Sequence, residues 1–334
     1  MTLDSQQTTG SGTKVKKCPA CNEEYQQDMV VCPKDRTMLL TPQKDELIGQ
    51  ILNERYKVVK EVGRGGLSAV YKVIDQSMDR SIAVKVLIPQ LVSDQFSIKR
   101  FQQAAQTISQ LQHPNVIRVY DYGFLSSGQP YLIMDFLEGE NLADIIGHAK
   151  KMPVERMIPI FIQACEGLEH AHEKGVLHCN LKSSNIMLID FEGTRDFVKV
   201  MDFGIADLKM CHSEGQPQSR TQQSRRYYGD TLYGSPIYLS PEECMAQSVD
   251  ARSNIYAMGV IMYEVLAGQP PFLGDTVIDT MQMHMSTPAK LFCEVGSGLD
   301  VPERLERVVF KALEKKAEER YQSMKELSDA LKNV

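Results

Sequence analysis

Gly63-Arg64-Gly65-Gly66-Leu67-Ser68-Ala69-Val70 is the stretch on which the fold turns. On either side of it, Tyr56 to Val62 and Ala69 to Asp75 alternate apolar and polar residues, the period-two pattern of strands with one buried face. Glycines that join strand to strand let backbone amides approach phosphate oxygens closely, which suits a nucleotide lid. A dinucleotide fold would need a helix to begin here, and none does. Taken alone, the stretch also reads as an ordinary hairpin turn. Ser81 to Ile88 is a further β-branched run and predicts a third antiparallel strand, and Phe96 to Leu111 predicts a helix.

Outward from this point the pattern changes. Past Gly139 the chain reads as mostly helical, with strong segments at Met157 to His172, Ser253 to Ala267, Glu303 to Glu314 and Ser323 to Leu331. A β-rich part followed by an α-rich part predicts two lobes with a cleft between them. The 334 residues, 43% hydrophobic and 24% charged, suit one large bilobal unit plus a short appendage and exclude wholesale disorder. A net charge of -6 lacks the basic excess of a nucleic-acid binder. The N-terminus has no apolar signal core, and the best apolar window, Ile255 to Gly268, is too short for a membrane span and contains Glu264, so the expected location is cytoplasmic.

The Gly-rich stretch gains meaning from the motifs downstream of it. Ile82-Ala83-Val84-Lys85 places a Lys on the third strand. His178-Cys179-Asn180-Leu181-Lys182-Ser183-Ser184-Asn185, Asp202-Phe203-Gly204, Ser240-Pro241-Glu242 and Arg320 then come in order. This ordered set resembles the eukaryotic-type serine/threonine protein kinases, particularly the bacterial members, from Tyr56 to the C-terminus. The resemblance implies an α+β bilobal kinase fold, ATP and Mg²⁺ (or Mn²⁺) as cofactors, and a protein substrate or partner. It also implies roles. Gly63, Gly65 and Gly66 belong to the lid over the phosphates, and Lys85 bridges the α- and β-phosphates. Asn185 and Asp202 supply oxygen ligands to Mg²⁺. Val70, Ala83 and Met187 sandwich the adenine, with Met134 at the back of the pocket and Asp135 to Leu137 as the hinge. Lys182 stands where Ser/Thr-directed kinases carry a Lys. Ordinary core packing is the alternative for Val70, Ala83 and Met187.

Several positions depart from that pattern. Asn180 stands at the place of the family's catalytic Asp, which accepts the substrate hydroxyl proton; an amide can orient a hydroxyl but has no useful basicity. Ala104 falls where helix C of the family carries the Glu that pairs with the strand Lys, so Lys85 is expected to lack its anchor unless Gln103 or Asp202 substitutes. Cys179 replaces the Arg that reads a phosphorylated activation loop. Asn254 replaces an Asp that braces the catalytic-loop backbone, and Ser68 replaces the third lid glycine. Retained nucleotide ligands with a lost base predict a pseudokinase that binds ATP and acts as scaffold or regulator. The other reading is a weakly active or specialised kinase acting on Ser or Thr. Lys209 to Gly229 reads as a mobile loop, and the longer stretch from Asp202 to Glu242, with Ser213, Ser219, Thr221, Ser224 and Thr231 among Arg220, Arg225 and Arg226, reads as open to phosphorylation or to an acidic partner. Ser235-Pro236 matches the start of the family's peptide-docking segment.

The remaining feature lies at the front of the chain. Three of the eight cysteines, Cys18, Cys21 and Cys32, fall close together, and Asp35 completes a C-x₂-C, ten-residue gap, C-x₂-D arrangement. In a reducing compartment such spacing reads as Zn²⁺ ligation before disulfides. It is similar to the small zinc ribbons at the N-termini of some bacterial proteins, in which the fourth ligand is often Cys. Three buried free cysteines, or a different fourth ligand, are the alternatives. The expected organisation is a disordered tail (1–15), a zinc-ribbon-like module (16–40), a linker (41–55) and a kinase domain (56–334) divided into an N-lobe (56–138) and a C-lobe (139–334). No membrane or nucleic-acid partner is expected.

Overall fold

The computed structural model describes residues 15–17, 24–26, 29–30, 47–64, 68–88, 95–149, 151–203, 236–295 and 301–334. Lid residues Gly65 and Gly66, the expected zinc ligands Cys18, Cys21, Cys32 and Asp35, Gly204, the 209–229 loop and Ser235 lie outside the described residues.

The alternating stretches become strands because each presents one apolar face. In β5 (Ser68–Asp75) every second residue is buried, with Val73 fully so. It pairs antiparallel with β4 (Tyr56–Arg64) on one side and β6 (Arg80–Leu87) on the other. Among the described residues this sheet continues through β8 (Pro130–Asp135) to β7 (Val119–Phe124) at one edge, and β3 (Ile51–Leu52) forms the other. The stretch expected to be linker up to Tyr56 therefore contributes a strand: Ile51 pairs with Lys57, and Leu47 packs on the core formed by Tyr56, Val58, Tyr71 and Ile133. Its apolar Leu47 and Leu52 are drawn onto that core, while Ile51 faces outward. Farther upstream, β1 (Val15–Lys17) and β2 (Glu24–Gln26) form a separate hairpin.

Helix α1 (Gln95–Ser109) lies against β7, inserting Phe101 edge-on between Tyr122 and Phe124. Past the hinge come β9 (Gly139–Asn141), α2 (Leu142–Ala149) and α3 (Val154–Glu173). The second lobe is less purely helical than its sequence suggests. A hairpin, β10 (Ile186–Phe191) and β11 (Thr194–Val200), turns at Glu192-Gly193, both at positive φ (48° and 81°), and β9 pairs on its open side. The close approach of β9 explains Gly139, where a Cβ would lie 2.0 Å from the Leu188 carbonyl oxygen. After α4 (Pro241–Cys244), α5 (Ala251–Ala267) is buried along nearly its whole length, as its all-round apolar sequence requires. Its ends are capped by the Asp250 carboxylate, which accepts from Arg252 N, and by Gly268 at φ 74°. Helices α6 (Val277–Ser286), α7 (Phe292–Val295), α8 (Glu303–Ala312) and α9 (Met324–Lys332) complete the lobe, with α9 packing on α3. Among the described residues no helix is long and apolar enough to cross a membrane.

Candidate functional site

The sheet register builds the upper wall of the cleft. Val70 lies opposite Lys85, and Ala83 lies opposite Met134. Directly paired residues share a face, as do residues two apart, so Val70, Ala83, Lys85 and Met134 all face the same side. Ala83 and Met134 belong to the core that runs into the second lobe, and Val70 and Leu137 pack on it. Met187, on β10 opposite Asn141, sits below the hinge. Sequence reasoning named these residues. It did not name Lys72, whose ammonium lies 4.3 Å from the Phe136 ring centroid and 3.6 Å from Glu138 at the hinge.

The lower wall is built around residues 178 to 203. The His178 side chain is fully buried, and its Nε2 donates to the Met201 carbonyl at 2.7 Å. Its ring stacks obliquely on Phe203, 4.7 Å between centroids. Burial pushes the imidazole down to about 4, so it is neutral near pH 7. The next residue, Cys179, has φ 59°, and Asn180 N donates back to His178 O at 2.8 Å. That is a γ-turn with a left-handed central residue, an uncommon geometry that persists only where surroundings enforce it. Enforcement comes from the Asn185 side chain, whose Nδ2 donates to Asn180 O at 2.8 Å, and from Asn185 O, which accepts from Met201 N at 2.8 Å. Asp202 also adopts a left-handed φ of 64°. The 180 and 202 segments are thus tied together by the protein's own bonds.

Of the two supports in question, Asp202 supplies the anchor that the sequence reading left open to it or to Gln103, and the expected loss of the brace at 254 needs correction. Lys85 is anchored: its Nζ lies 2.7 Å from Asp202 Oδ1, with the two side chains 10% and 30% exposed. Burial works against the charged form of Asp202, but the attraction and hydrogen bond of Lys85, aided by His178 and Lys182, outweigh it and hold the carboxyl below its ordinary value. The brace at Asn254 also survives. Its Oδ1 accepts from His178 N and from His172 Nε2, each at 2.9 Å. The job needs one acceptor oxygen placed on the buried helix α5, and an amide supplies it as a carboxylate does.

The donor set fits a hard divalent cation. Because Asn185 Nδ2 is committed to Asn180 O, its Oδ1 is left as an oxygen donor, and Asp202 keeps Oδ2 beside the Lys85-bound Oδ1. Asn180 itself makes no side-chain hydrogen bond among the described residues. Lys182 is partly buried, and its carbonyl accepts from Asn185 N at 2.9 Å. On the far side of the loop, Ser183 joins Tyr238 and Glu264 in a hydrogen-bonded group that sequence reasoning did not anticipate. Behind it, Arg320 donates to both Glu242 oxygens, at 2.8 Å each, and to the carbonyls of Glu314, Arg252 and Lys315. All five guanidinium hydrogens are used.

Residues 56–331 match the family model described as protein kinase domain. The chain belongs to the protein kinase family. Among curated relatives it is 36% identical over 279 residues to the serine/threonine-protein kinase PknB of Mycobacterium leprae, covering 83% of this chain and 42% of that protein. It is 32% identical to the serine/threonine-protein kinase pkn3 of Myxococcus xanthus over 84% of this chain and 50% of the relative. The chain therefore spans half or less of the length of these relatives. Among solved structures, the kinase domain of Mycobacterium tuberculosis PknI superposes with a TM-score of 0.64 at 25% identity, covering 86% of this chain and 99% of that one. The family fold accounts for the two lobes and the curled first-lobe sheet, and ATP and Mg²⁺ are the family's general ligands.

Proposed function

We propose that the chain is a protein-kinase-like protein that binds ATP and Mg²⁺ and acts mainly as a scaffold or regulator, its nucleotide-bound shape being read by a protein partner. The observation that carries this reading is the coexistence of an assembled Lys85–Asp202–Asn185 frame with an amide at position 180. Bound Mg²⁺ and ATP supply the transferable phosphoryl group and the charge that neutralises its oxygens. In this reading Lys85 would hold the α- and β-phosphates, and Asn185 and Asp202 the cation. Gly63, Gly65 and Gly66 would belong to the lid over the phosphates, and Val70, Ala83, Met134, Leu137 and Met187 would enclose the base. Asn180 orients a hydroxyl without taking its proton, and a missing base slows transfer by roughly 10²- to 10⁴-fold. Lys182 stabilises charge beside it.

The second reading, a slow serine/threonine kinase, draws support from the retained Asn254 brace. Thermal melting with and without ATP, with Mg²⁺ or Mn²⁺, tests binding: at a ligand concentration 100 times Kd the native state gains about 2.7 kcal/mol. The shift should vanish in Asp202→Ala. Robust wild-type phosphotransfer that disappears in Lys85→Ala would overturn the scaffold reading in favour of the second. For residues 16–40 we propose a structural Zn²⁺ held by Cys18, Cys21, Cys32 and Asp35, on the spacing alone. The described hairpin β1–β2 brackets the first pair of cysteines. One zinc per chain in the purified protein, lost in Cys18→Ser, is the expected result.

A further inference from the structure

The peptide-docking segment of a kinase must be held in place, and Cys179 removes the cation with which the family ties that segment to a loop phosphate. The described part of this segment, the 3₁₀ turn Pro236–Tyr238, is held by something else. Ser183 Oγ lies 2.8 Å from Tyr238 Oη, and Tyr238 Oη donates to Glu264 Oε2 at 2.8 Å. Since the phenol hydrogen is given to the carboxylate, the Ser183 hydroxyl is the donor to Tyr238. Ser183 is 1% exposed and sits between Lys182 and Asn185, in the 3₁₀ turn that fixes the metal-facing amide. Glu264 projects from α5, the same buried helix that carries the Asn254 brace. Burial raises the Glu264 carboxyl above its ordinary value, although the hydrogen bond from Tyr238, whose hydroxyl is in turn supported by Ser183, pulls it back and makes a largely buried carboxylate tolerable there.

We infer that Ser183 is a positioning residue: with Tyr238 and Glu264 it latches the peptide-docking segment to the catalytic loop and to α5, so the segment is ordered without a phosphate on the 204–235 loop. This rests on the kinase-like reading for the meaning of the segment, but not on whether phosphotransfer occurs. The latch joins three elements far apart in sequence, with separations of 55 and 26 residues. The catalytic loop and the docking segment therefore form one cooperative unit.

The test is amide hydrogen exchange in the full-length protein, read on peptides covering Ile237 to Ser240, with α5 peptides as the global reference. Ser183→Ala should speed exchange there about five- to tenfold, the worth of one buried hydrogen bond, and Tyr238→Phe, which removes both bonds of the latch, at least as much, while α5 exchange changes less. Ser183→Thr, which keeps the hydroxyl, should restore wild-type exchange. Because both variants break the same bond, the double variant should stay within about twofold of Tyr238→Phe alone. Treating the wild type with phosphatase should leave exchange at Ile237 to Ser240 unchanged. Exchange within twofold of wild type in both single variants, multiplicative effects in the double variant, or faster exchange after dephosphorylation would each overturn the latch. A wild type that shows no ATP-induced melting shift would instead count against nucleotide binding and leave the latch standing.

Discussion

Restoring a carboxylate at position 180 isolates what the base is worth in an otherwise assembled site. Asn180→Asp exchanges NH₂ for O⁻ with almost no change in shape. The bonds that set the loop do not involve the side chain being changed: Asn180 N donates to His178 O, Asn180 O accepts from Asn185 Nδ2, and Asn254 holds His178 N. The γ-turn at Cys179 should therefore persist, and so should the Lys85–Asp202 pair at 2.7 Å. What the variant adds is basicity, which as general-base catalysis contributes roughly 10²- to 10⁴-fold, or about 2.7–5.5 kcal/mol of barrier. The gain should appear in kcat, with KM for ATP little changed, because the groups assigned to ATP are untouched. The assay is phosphate incorporation into a generic basic protein substrate with Mg²⁺ or Mn²⁺, run on wild type, Asn180→Asp, and Asn180→Asp combined with Lys85→Ala as the blank. A folded Asn180→Asp protein that binds ATP by thermal shift yet gains less than tenfold over wild type would refute the reasoning. The remaining frame would then be shown not to place phosphate and hydroxyl together.

Other perturbations report on the supports. Asn254→Ala leaves His178 N and His172 Nε2 without their acceptor and should cost about 2–4 kcal/mol in chemical denaturation. Glu242 is buried, which disfavours its charge, but Arg320 and then Ser253 outweigh burial and lower its carboxyl below the ordinary 4.5. With the folded value depressed, the unfolded chain binds more protons in that window. The pair's stabilisation is complete above pH 4.5 and lost as pH falls through the lower folded value. The stability gap between wild type and Glu242→Gln should accordingly shrink toward acid. Lys315 also shifts down, but at the expense of its charged form: burial and then Arg320 lower its ammonium to about 8 from 10.5, while the Met283 carbonyl at 3.3 Å and the Phe272 ring at 3.9 Å hold it. Native protein binds fewer protons than unfolded chain between those values. Wild type should gain stability relative to Lys315→Met as pH rises from 8 to 10.5. A flat difference across that range would rule out this account of Lys315.

The proposed nucleotide site could be assembled from the sequence because its parts are local. A Gly-rich turn between alternating strands, a Lys on the third strand, and two short motifs each fit within a few residues; the resemblance assigned Val70, Ala83 and Lys85 to one site, and the sheet register puts them on one face. The hairpin of β10 and β11 was missed because its short run carries little alternation beyond the Glu192-Gly193 turn. Bonds that cross the fold are harder to read. The Asn254–His178 contact spans 76 residues and was pointed to only by the family resemblance, while the Ser183–Tyr238 contact spans 55 and nothing in the composition of either segment announces the other.

Position 254 also shows why reading a substitution by its residue type misleads. The chain carries Asn for the family's Asp twice, at 180 and at 254, and the two exchanges differ in consequence because the two oxygens do different work. At 254 the oxygen only accepts hydrogen bonds, at 2.9 Å from two donors, and an amide oxygen does that with no charge to bury on α5. At 180 the oxygen must accept a proton outright, and an amide does not become basic by being well placed. Intact bracing at 254 therefore isolates the exchange at 180: the loop is still held from α5, with an amide where the family's base stands. On the proposed reading the site lacks one chemical property, the basicity of a carboxylate at 180, and Asn180→Asp asks whether that property alone was missing.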